Sequence, residues 1–446
     1  MKNKEKVLIA GAGLTGPLLA VLLAQKGYPV EVIDKRPDPR KGAAYEGRSI
    51  NLALSNRGLR ALSLIGIKDT VLQEAVPMNG RMIHDEKGCA SFAPYGKEGQ
   101  QIYSVSRGGL NRTLTDIAEK EGVKFRFEQA VEGIDVTKRQ LDLVKGINTE
   151  VIAYDFLFAA DGAFSKIRHE LVAENRCEQK LNTLSHRYKE LRMPPLDGNF
   201  AMEPNALHIW PREQFMLIAL PNADKTFTCT LFLPFEGKNS FSGLQFPDSV
   251  ANFFRTHFPD AQKLIPDLPH AFFEYPVSAL TEVRSYPWAH ENICLIGDAA
   301  HAVVPFYGQG MNACFEDCFI LNAMLGDGEN LQKTVEAFQE TRKKDADAIA
   351  DLALHNFIEM RDLVKDEAFI LRKKIEAWLH EALGEKYLPL YTMVTFSDMP
   401  YSEALKNGKK QDCIMEKVLA LEGIKTNWQQ ADMKAKILEI VKNEIG

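Results

Sequence analysis

KVLIAGAGLTG, residues Lys6–Gly16, decides the fold of this 446-residue chain. Lys6 to Ala10 is a short apolar run ending in glycine, which predicts a buried strand. The Leu/Ala-rich segment Leu14 to Lys26 predicts a helix that Gly27 ends, and Val30 to Ile33 predicts a second strand. Strand, turn, helix and strand in this order form a βαβ unit, which predicts a parallel sheet.

Three glycines in the turn after the first strand have distinct expected tasks. Gly11 permits the tight turn, Gly13 lets the backbone approach a pyrophosphate, and Gly16 lets helix and strand pack closely. The helix N-terminus offers N–H groups and a partial positive charge to the phosphates. Asp34 ends the second strand about 20 residues further on, where its carboxylate is expected to accept hydrogen bonds from the adenosine ribose. The unit predicts a dinucleotide site but leaves NAD and FAD both open.

Two further strand-to-helix turns favour FAD over NAD. Asp161-Gly162 follows the apolar run FLFAA, Gly297-Asp298 follows the run ICLI, and a new helix opens near Gly310. Asp161 and Asp298 are expected FAD contacts, the latter to a ribityl hydroxyl. The helix N-terminus near Gly310 is expected to face the pyrimidine end of the flavin, where the reduced ring carries negative charge. Each turn alone is ordinary, and the ordered set of three predicts FAD.

The region between the second and third turns is rich in strands. ALHIW, FMLIAL and TFTCTLFLPF, within residues 206–235, predict an antiparallel sheet with one face free to cover a ligand. After Gly310 helical periodicity dominates. The predicted class is α/β: a discontinuous Rossmann-type FAD-binding domain with an inserted antiparallel-sheet substrate domain and a helical C-terminal region. We place the FAD-binding domain at residues 1–180 and 286–365, the substrate domain at 181–285 and the helical region at 366–446.

Composition and charge exclude several classes of function. The formal net charge of −6 at pH 7 and the lack of a Lys/Arg-rich run argue against nucleic acid as a partner. The seven cysteines are scattered without a CxxC pair, which indicates a reducing compartment, no disulfide framework and no metal site. The sequence has no run of about 18 apolar residues, so we expect a cytoplasmic protein without a membrane span. The oligomeric state stays open.

The three turn motifs together resemble those of the single-component FAD-dependent aromatic hydroxylases, and the resemblance covers nearly the whole chain. Longer strings resemble the branch that hydroxylates L-kynurenine; they begin with GRSINLALSNRG, RMIHD, YSVSRGGLN and AMEPNALHIWPR and continue with VPFYGQGMNACFED, HNFIEMR and PLYTMVTFS. The chain lacks the hydrophobic C-terminal segment that attaches eukaryotic members to a membrane, so the soluble bacterial form is expected. The resemblance implies further FAD-binding positions: Thr15, Lys35, Arg36, Leu54, Arg107, Val131, Met311 and Asn312.

The expected substrate is an aryl amino acid with a carboxylate at one end and an aniline ring at the other. The resemblance implies that Arg81 binds the carboxylate as a two-pronged donor, since a planar guanidinium matches that group. Phe306 and Tyr307 follow the third turn closely and are expected to pack on the ring beside the flavin edge. The remaining substrate contacts that the resemblance implies are Tyr95, Asn356 and Tyr391.

The implied reaction is hydroxylation of L-kynurenine to 3-hydroxy-L-kynurenine. NADPH binds transiently and reduces tightly bound FAD; reduced flavin and O2 then give a flavin hydroperoxide. Its distal oxygen passes to the ring carbon beside the amine, where the amine raises the electron density. We assign no catalytic acid or base, because this transfer requires none. A role in packing the turn explains His301 at least as well as a role in catalysis.

Three alternatives remain on the sequence. A related flavin hydroxylase with another aromatic substrate shares the FAD motifs but does not need Arg81 together with Asn356 and Tyr391. An NAD-dependent dehydrogenase shares the first motif only. A non-catalytic flavin-binding protein does not need the substrate residues. Taken singly, an arginine is usually solvated and a tyrosine usually places its hydroxyl at the surface, so the position of Arg81 separates these hypotheses.

Overall fold

A computed structural model describes residues 4–41, 51–96, 99–326, 330–359 and 366–445. Residues 47–50 of the string GRSINLALSNRG and residues 360–361 of HNFIEMR lie outside the described residues. The strands are β1 (Val7–Ala10), β2 (Val30–Asp34), β3 (Asn51–Leu54), β4 (Val76–Met78), β5 (Gly80–His84), β6 (Ala90–Pro94), β7 (Ile102–Ser106), β8 (Lys124–Phe127), β9 (Ala130–Asp135), β10 (Gln140–Lys145), β11 (Asn148–Ala153), β12 (Phe156–Ala159), β13 (Glu178–Met193), β14 (Ala206–Arg212), β15 (Phe215–Pro221), β16 (Phe227–Pro234), β17 (Ser278–Tyr286), β18 (Ala289–His290) and β19 (Ile293–Leu295).

The helices surround these strands and make up most of the last third of the chain. They are α1 (Thr15–Gln25), α2 (Asn56–Leu64), α3 (Lys68–Gln73), α4 (Arg107–Lys120), α5 (Lys166–Ala173), α6 (Pro247–His257), α7 (Pro259–Leu264), α8 (Leu268–Glu274), α9 (Asp298–His301), α10 (Gly310–Met324), α11 (Leu331–Ile358), α12 (Glu367–Leu383), α13 (Leu390–Phe396), α14 (Tyr401–Leu419), α15 (Ile424–Asn427) and α16 (Ala431–Ile445). Short 3-10 turns span Phe241–Gly243, Pro305–Tyr307 and Gly384–Lys386.

The nucleotide-binding sheet joins three distant parts of the chain. Its strand order is β18-β19-β12-β1-β2-β8, and the pairs from β19 to β8 are parallel. All four residues of β1 are buried, as expected for a central strand covered on both faces. The predicted βαβ unit is confirmed, and so is the convergence of the Asp161 and Asp298 segments on it, because β12 and β19 lie beside β1.

The second large sheet has the order β17-β13-β16-β15-β14-β5-β6. It is antiparallel except where β14 pairs in parallel with β5. The sequence analysis predicted β14 to β16 but not β5 and β6, which join this sheet from residues 80–94, nor the 16-residue strand β13. β5 was missed because a parallel neighbour far away in sequence leaves no local signal. The α/β class is confirmed, while the domain boundaries stay a prediction.

A buried polar cluster attaches helix α7 to the second sheet. Asp260 Oδ2 lies 2.9 Å from His84 Nδ1 and accepts a 2.8 Å hydrogen bond from Trp210 Nε1. His84 Nε2 lies 2.9 Å from His208 Nδ1. Burial alone raises the pKa of Asp260, but the bonds from His84 and Trp210 outweigh it and lower that pKa to about 2. The carboxylate therefore holds helix and sheet together while it is ionised.

The C-terminal helices enclose a hydrophobic core of their own. Ile375 and Leu379 of α12 pack there with Ile414 of α14 and Ile437 of α16, and all four are fully buried or nearly so. Apolar spacing of three and four residues on each helix produces this shared face. No helix in the part of the chain that the structure describes is both long and apolar enough to cross a membrane.

Candidate active site

The first glycine turn leaves one open face. Gly11 has φ +108°, and a Cβ there would lie 2.3 Å from the carbonyl oxygen of Ala160. A Cβ on Gly16 would lie 1.9 Å from the carbonyl oxygen of Gly11, so both positions require glycine. A Cβ on Gly13 would meet nothing closer than 4.0 Å. Gly13 thus leaves free space above the start of α1, which is the cradle that a pyrophosphate requires.

Asp34 is bound more extensively than the sequence analysis predicted. Its Oδ2 accepts from the N–H of Ala12 at 2.6 Å and from Arg36 Nη2 at 2.7 Å, while Oδ1 accepts from Arg36 Nε at 2.9 Å. Burial alone raises the pKa of Asp34, but the hydrogen bonds and charge of Arg36 lower it overall. The carboxylate is therefore ionised and ties the glycine turn to Arg36. Its bond to the ribose stays a prediction.

The second and third turns are linked by a residue to which the sequence analysis assigned no role. Arg168 Nη1 donates to the carbonyl of Ala299 at 2.7 Å, and Nη2 donates to that of Ala163 at 2.6 Å. Asp161 Oδ2 accepts from the N–H of Lys166 at 2.8 Å, but its Oδ1 is sealed from solvent and no residue that the structure describes donates to it at hydrogen-bond geometry. Burial raises the pKa of Asp161. This unsatisfied oxygen has the capacity to accept one further hydrogen bond.

Asn312 joins the third turn to the strand before α2. Its Oδ1 accepts from the N–H of Ser55 at 2.9 Å, and its Nδ2 donates to the carbonyls of Ala53 and Gly308 at 2.8 and 2.9 Å. A side chain with these three bonds holds the N-terminus of α10 in place. Among the other predicted FAD positions Leu54 is buried, Lys35 and Arg107 are exposed, and Thr15, Asp298, Val131, Gly310 and Met311 are half-buried.

The predicted substrate residues on β5, after β6 and on α13 do meet in space. The guanidinium carbon of Arg81 lies 4.6 Å from the ring centre of Tyr391 and 5.5 Å from that of Tyr95. The rings of Tyr95 and Tyr391 stack at 5.3 Å, and Tyr307 stacks on the ring of Tyr391 at 5.7 Å. The three rings and the cation form one cluster, which we call the tyrosine–arginine cluster.

This cluster contains a cation without an anion. Arg81 is half-buried, its Nε is sealed from solvent without a hydrogen-bond partner, and within the described residues no carboxylate forms an ion pair with it. Burial lowers the pKa of Arg81, but the hydroxyls of Tyr391 and Tyr95 outweigh this and raise it. The hydroxyl of Tyr95 is also sealed from solvent and has no hydrogen bond of good geometry within the described residues. Burial raises the pKa of Tyr95 and Tyr307 well above the usual value, so both hydroxyls keep their protons and remain donors.

The sequence of the chain matches one known family and several known proteins. The family described as FAD binding domain matches residues 4–353. The chain is 45% identical to kynurenine 3-monooxygenase of Flavobacterium psychrophilum over 449 residues, which cover 100% of both chains. It belongs to the kynurenine 3-monooxygenase family. The kynurenine 3-monooxygenase of Dictyostelium discoideum is 42% identical and covers 93% of each chain.

Solved structures with this fold are more distant. A tetrameric 2-methyl-3-hydroxypyridine-5-carboxylic acid oxygenase has a TM-score of 0.67 at 20% identity and covers 81% of this chain and 94% of its own. The tetracycline destructase Tet(55) has a TM-score of 0.65 at 18% identity and covers 84% and 95%. The Rossmann-type FAD fold predicted from the glycine turns is thus confirmed for this member of the kynurenine 3-monooxygenase family.

Asn356 and Phe306, two other predicted substrate contacts, bind each other in this kynurenine 3-monooxygenase family member. Asn356 Nδ2 donates to the carbonyl of Phe306 at 2.6 Å. The ring of Phe306 stacks on Phe357 at 4.2 Å and lies 5.0 Å from Phe232. Asn356 therefore anchors the loop that carries Phe306 and Tyr307. Direct contact of either residue with a substrate stays a prediction.

His301 belongs to a buried ionic network beneath the third turn. His301 Nε2 lies 2.6 Å from Asp317 Oδ2, and Arg342 Nε donates to Asp317 Oδ1 at 2.7 Å. Arg342 also pairs with Glu316 at 2.7 Å, and Arg57 pairs with the same carboxylate. Burial alone raises the pKa of Asp317, but His301 and Arg342 lower it overall. The charges of this network hold α10, α11 and α2 together, and His301 contributes to that packing.

Proposed function

We propose that the chain is an NADPH-dependent FAD monooxygenase that hydroxylates L-kynurenine to 3-hydroxy-L-kynurenine. The observation that carries this proposal is the position of Arg81. Its side chain is half-buried beside Tyr95 and Tyr391, and no carboxylate among the described residues pairs with it. A charge withdrawn from water needs an opposite charge, and no carboxylate among the described residues supplies one to Arg81. The carboxylate of an amino acid is the matching ligand. Membership of the kynurenine 3-monooxygenase family supports L-kynurenine as that amino acid.

The tyrosine–arginine cluster is suited to the amino-acid end of the substrate. Arg81 offers its guanidinium as a two-pronged donor, and the hydroxyl of Tyr95, which keeps its proton, belongs to the same cluster. The stacked rings of Tyr391 and Tyr307 form an apolar wall beside the cation. An aniline ring bound beyond the carboxylate packs on such a wall in offset or edge-to-face geometry.

The cofactor residues fit FAD at the first glycine turn. The free space above Gly13 accepts a pyrophosphate beside the N-terminus of α1. Bound FAD supplies the redox chemistry, taking two electrons from NADPH and using them to activate O2. We propose that these residues hold it: Gly11, Gly13, Thr15, Gly16, Asp34, Lys35, Arg36, Leu54, Arg107, Val131, Asp161, Asp298, Gly310, Met311 and Asn312.

The chain's own contribution to the reaction is position and exclusion of water. Arg81 fixes one end of the substrate, and the loop with Phe306 and Tyr307 determines how close the ring comes to the flavin edge. Misplacement by about 1 Å costs on the order of 10²-fold in rate. Phe306 packs on Phe357 and Phe232, and these buried rings keep water away from the side of the loop on which they lie. We assign no acid or base among the chain's residues.

A second proposal concerns organisation and location. We propose domain boundaries at residues 1–180, 181–285, 286–365 and 366–446; the separate hydrophobic core of α12, α14 and α16 supports the last of these. We also propose that the protein works in the cytoplasm. All seven cysteines are free thiols, which fits a reducing compartment.

The test compares NADPH oxidation by the purified flavoprotein with and without L-kynurenine and identifies the product by mass. The proposal expects stimulation by L-kynurenine and a product heavier by one oxygen atom. Phenolic acids of similar size serve as the control, since a related hydroxylase for another aromatic substrate would respond to them instead. Absence of hydroxylated kynurenine in a preparation that retains its flavin overturns the proposed substrate.

A further inference from the structure

The loop at residues 305–310 contains a glutamine that neither the sequence motifs nor the substrate cluster explains. Gln309 is the residue before α10, is 2% exposed, and does not cap the helix with its side chain. Glutamine is not a favoured residue at this position, where Ser, Thr, Asp or Asn lead. A side chain that does not cap the helix from this position is a candidate for a role in the site.

The side chain of Gln309 is held from the C-terminal region. Tyr401, the first residue of α14, is fully buried and donates its hydroxyl to Gln309 Oε1 at 2.9 Å. No described residue accepts a hydrogen bond from Gln309 Nε2. The acceptor oxygen and the donor nitrogen of an amide lie in one plane and point in different directions. Binding the oxygen therefore fixes the direction of the nitrogen.

The ring of Tyr401 is fixed by contacts that do not involve its hydroxyl. The guanidinium carbon of Arg57 lies 3.9 Å from the ring centre, and that of Arg342 lies 5.5 Å from it. The next residue, Ser402, donates its N–H and its hydroxyl to Asp345 Oδ1 at 2.9 and 2.6 Å. These contacts hold the ring of Tyr401 beside Gln309. Removal of the hydroxyl is therefore expected to leave the ring in place.

Charge and burial keep this hydroxyl in its protonated form. Burial raises the pKa of Tyr401, the carboxylate of Glu316 raises it further, and Arg57 and Arg342 offset only part of this. A protonated phenol bonded to a carbonyl oxygen acts as the donor, so this bond keeps Oε1 of Gln309 towards Tyr401 and leaves Nε2 on the other side of the amide group.

We propose that Tyr401 is a positioning residue that locks the amide of Gln309, so that Nε2 serves as an oriented donor of the 305–310 loop. The proposal rests on the function proposed above, which places this loop at the flavin edge. It also gives the C-terminal helices a role, because α14 supports the loop through one hydrogen bond. The ligand of Nε2 is a hydrogen-bond acceptor on the bound flavin or substrate.

The test uses the flavin-loaded Tyr401→Phe enzyme with Tyr387→Phe as its matched control. Tyr387 is also buried in the C-terminal region, but its hydroxyl has no hydrogen-bond partner in the described parts of the chain. Tyr401→Phe is expected to lower kcat/KM for L-kynurenine about tenfold, the ratio that corresponds to one net hydrogen bond. A larger share of the NADPH consumed then ends as H2O2, whereas Tyr387→Phe matches the parent in both respects.

Two further arms separate positioning from a general loss of stability. Gln309→Leu and the double variant Tyr401→Phe/Gln309→Leu are expected to have equal coupling of NADPH to product, since the tyrosine acts only through the glutamine. If the double variant loses coupling by the product of the two single losses, the two residues act independently and the proposal is overturned. A crystal structure of Tyr401→Phe is the arm that needs no substrate: the Gln309 amide is expected to leave its position, and an unmoved amide overturns the proposal. Failure of the parent enzyme to hydroxylate kynurenine overturns the proposed function instead.

Discussion

Replacement of Arg81 by methionine tests the assignment of the substrate cation. Methionine has a similar volume and no charge, so the variant removes the cation without opening a cavity. Loss of one partner from a desolvated ion pair weakens binding by about 2 to 5 kcal/mol. Because Arg81 is half-buried rather than fully enclosed, the lower part of this range applies. The dissociation constant of L-kynurenine is therefore expected to rise by roughly 30- to 150-fold.

The same variant is expected to keep or gain stability when no substrate is bound. The unliganded site holds a cation without an anion, and replacing such a charge with an apolar side chain is often neutral or stabilising. Titration of the flavin absorbance with L-kynurenine gives the affinity, and a thermal melt gives the stability. Arg192→Met is the control, since Arg192 lies on the same sheet but is exposed. A dissociation constant within threefold of the parent value refutes the role of Arg81.

Two other substitutions test the cofactor turn and the sheet. Gly11→Ala is expected to abolish flavin retention on gel filtration, because the new Cβ would lie 2.3 Å from the carbonyl oxygen of Ala160; a yellow variant contradicts this. Asp260→Asn is expected to lower the free energy of unfolding by about 2 kcal/mol at pH 7, since the folded pKa of about 2 lies below the ordinary value of 3.8. That contribution is present above about pH 4 and disappears as the pH falls towards 2. Urea denaturation of the parent and the variant at pH 7 and at pH 2.5 checks this. A difference in the free energy of unfolding that is the same at the two pH values contradicts it.

The nucleotide-binding part of the fold could be predicted from the sequence because its signals are local. Gly11, Gly13 and Gly16 occur at the spacing that a strand-turn-helix connection requires, and Asp34 follows where the second strand ends. The structure shows why two of these glycines tolerate no side chain. Short-range steric rules of this kind are visible without any knowledge of tertiary contacts.

The substrate cluster could not be predicted from such local signals. Arg81 meets Tyr391 only because β5 pairs in parallel with β14 and α13 packs against the same region. Only the resemblance to a known family placed these residues at one site. The hydrogen bond from Tyr401 to Gln309 was missed for the same reason, since Gln309 precedes α10 and Tyr401 begins α14, two positions that are distant in sequence.

The most direct test of the central claim is the fate of molecular oxygen. The flavoprotein is incubated with NADPH, L-kynurenine and ¹⁸O₂, and the product is analysed by mass spectrometry. One labelled oxygen atom is expected in 3-hydroxy-L-kynurenine for each NADPH oxidised, with the second atom released as water. A product without the label, or NADPH oxidation that yields only H2O2 in the presence of L-kynurenine, would contradict the account.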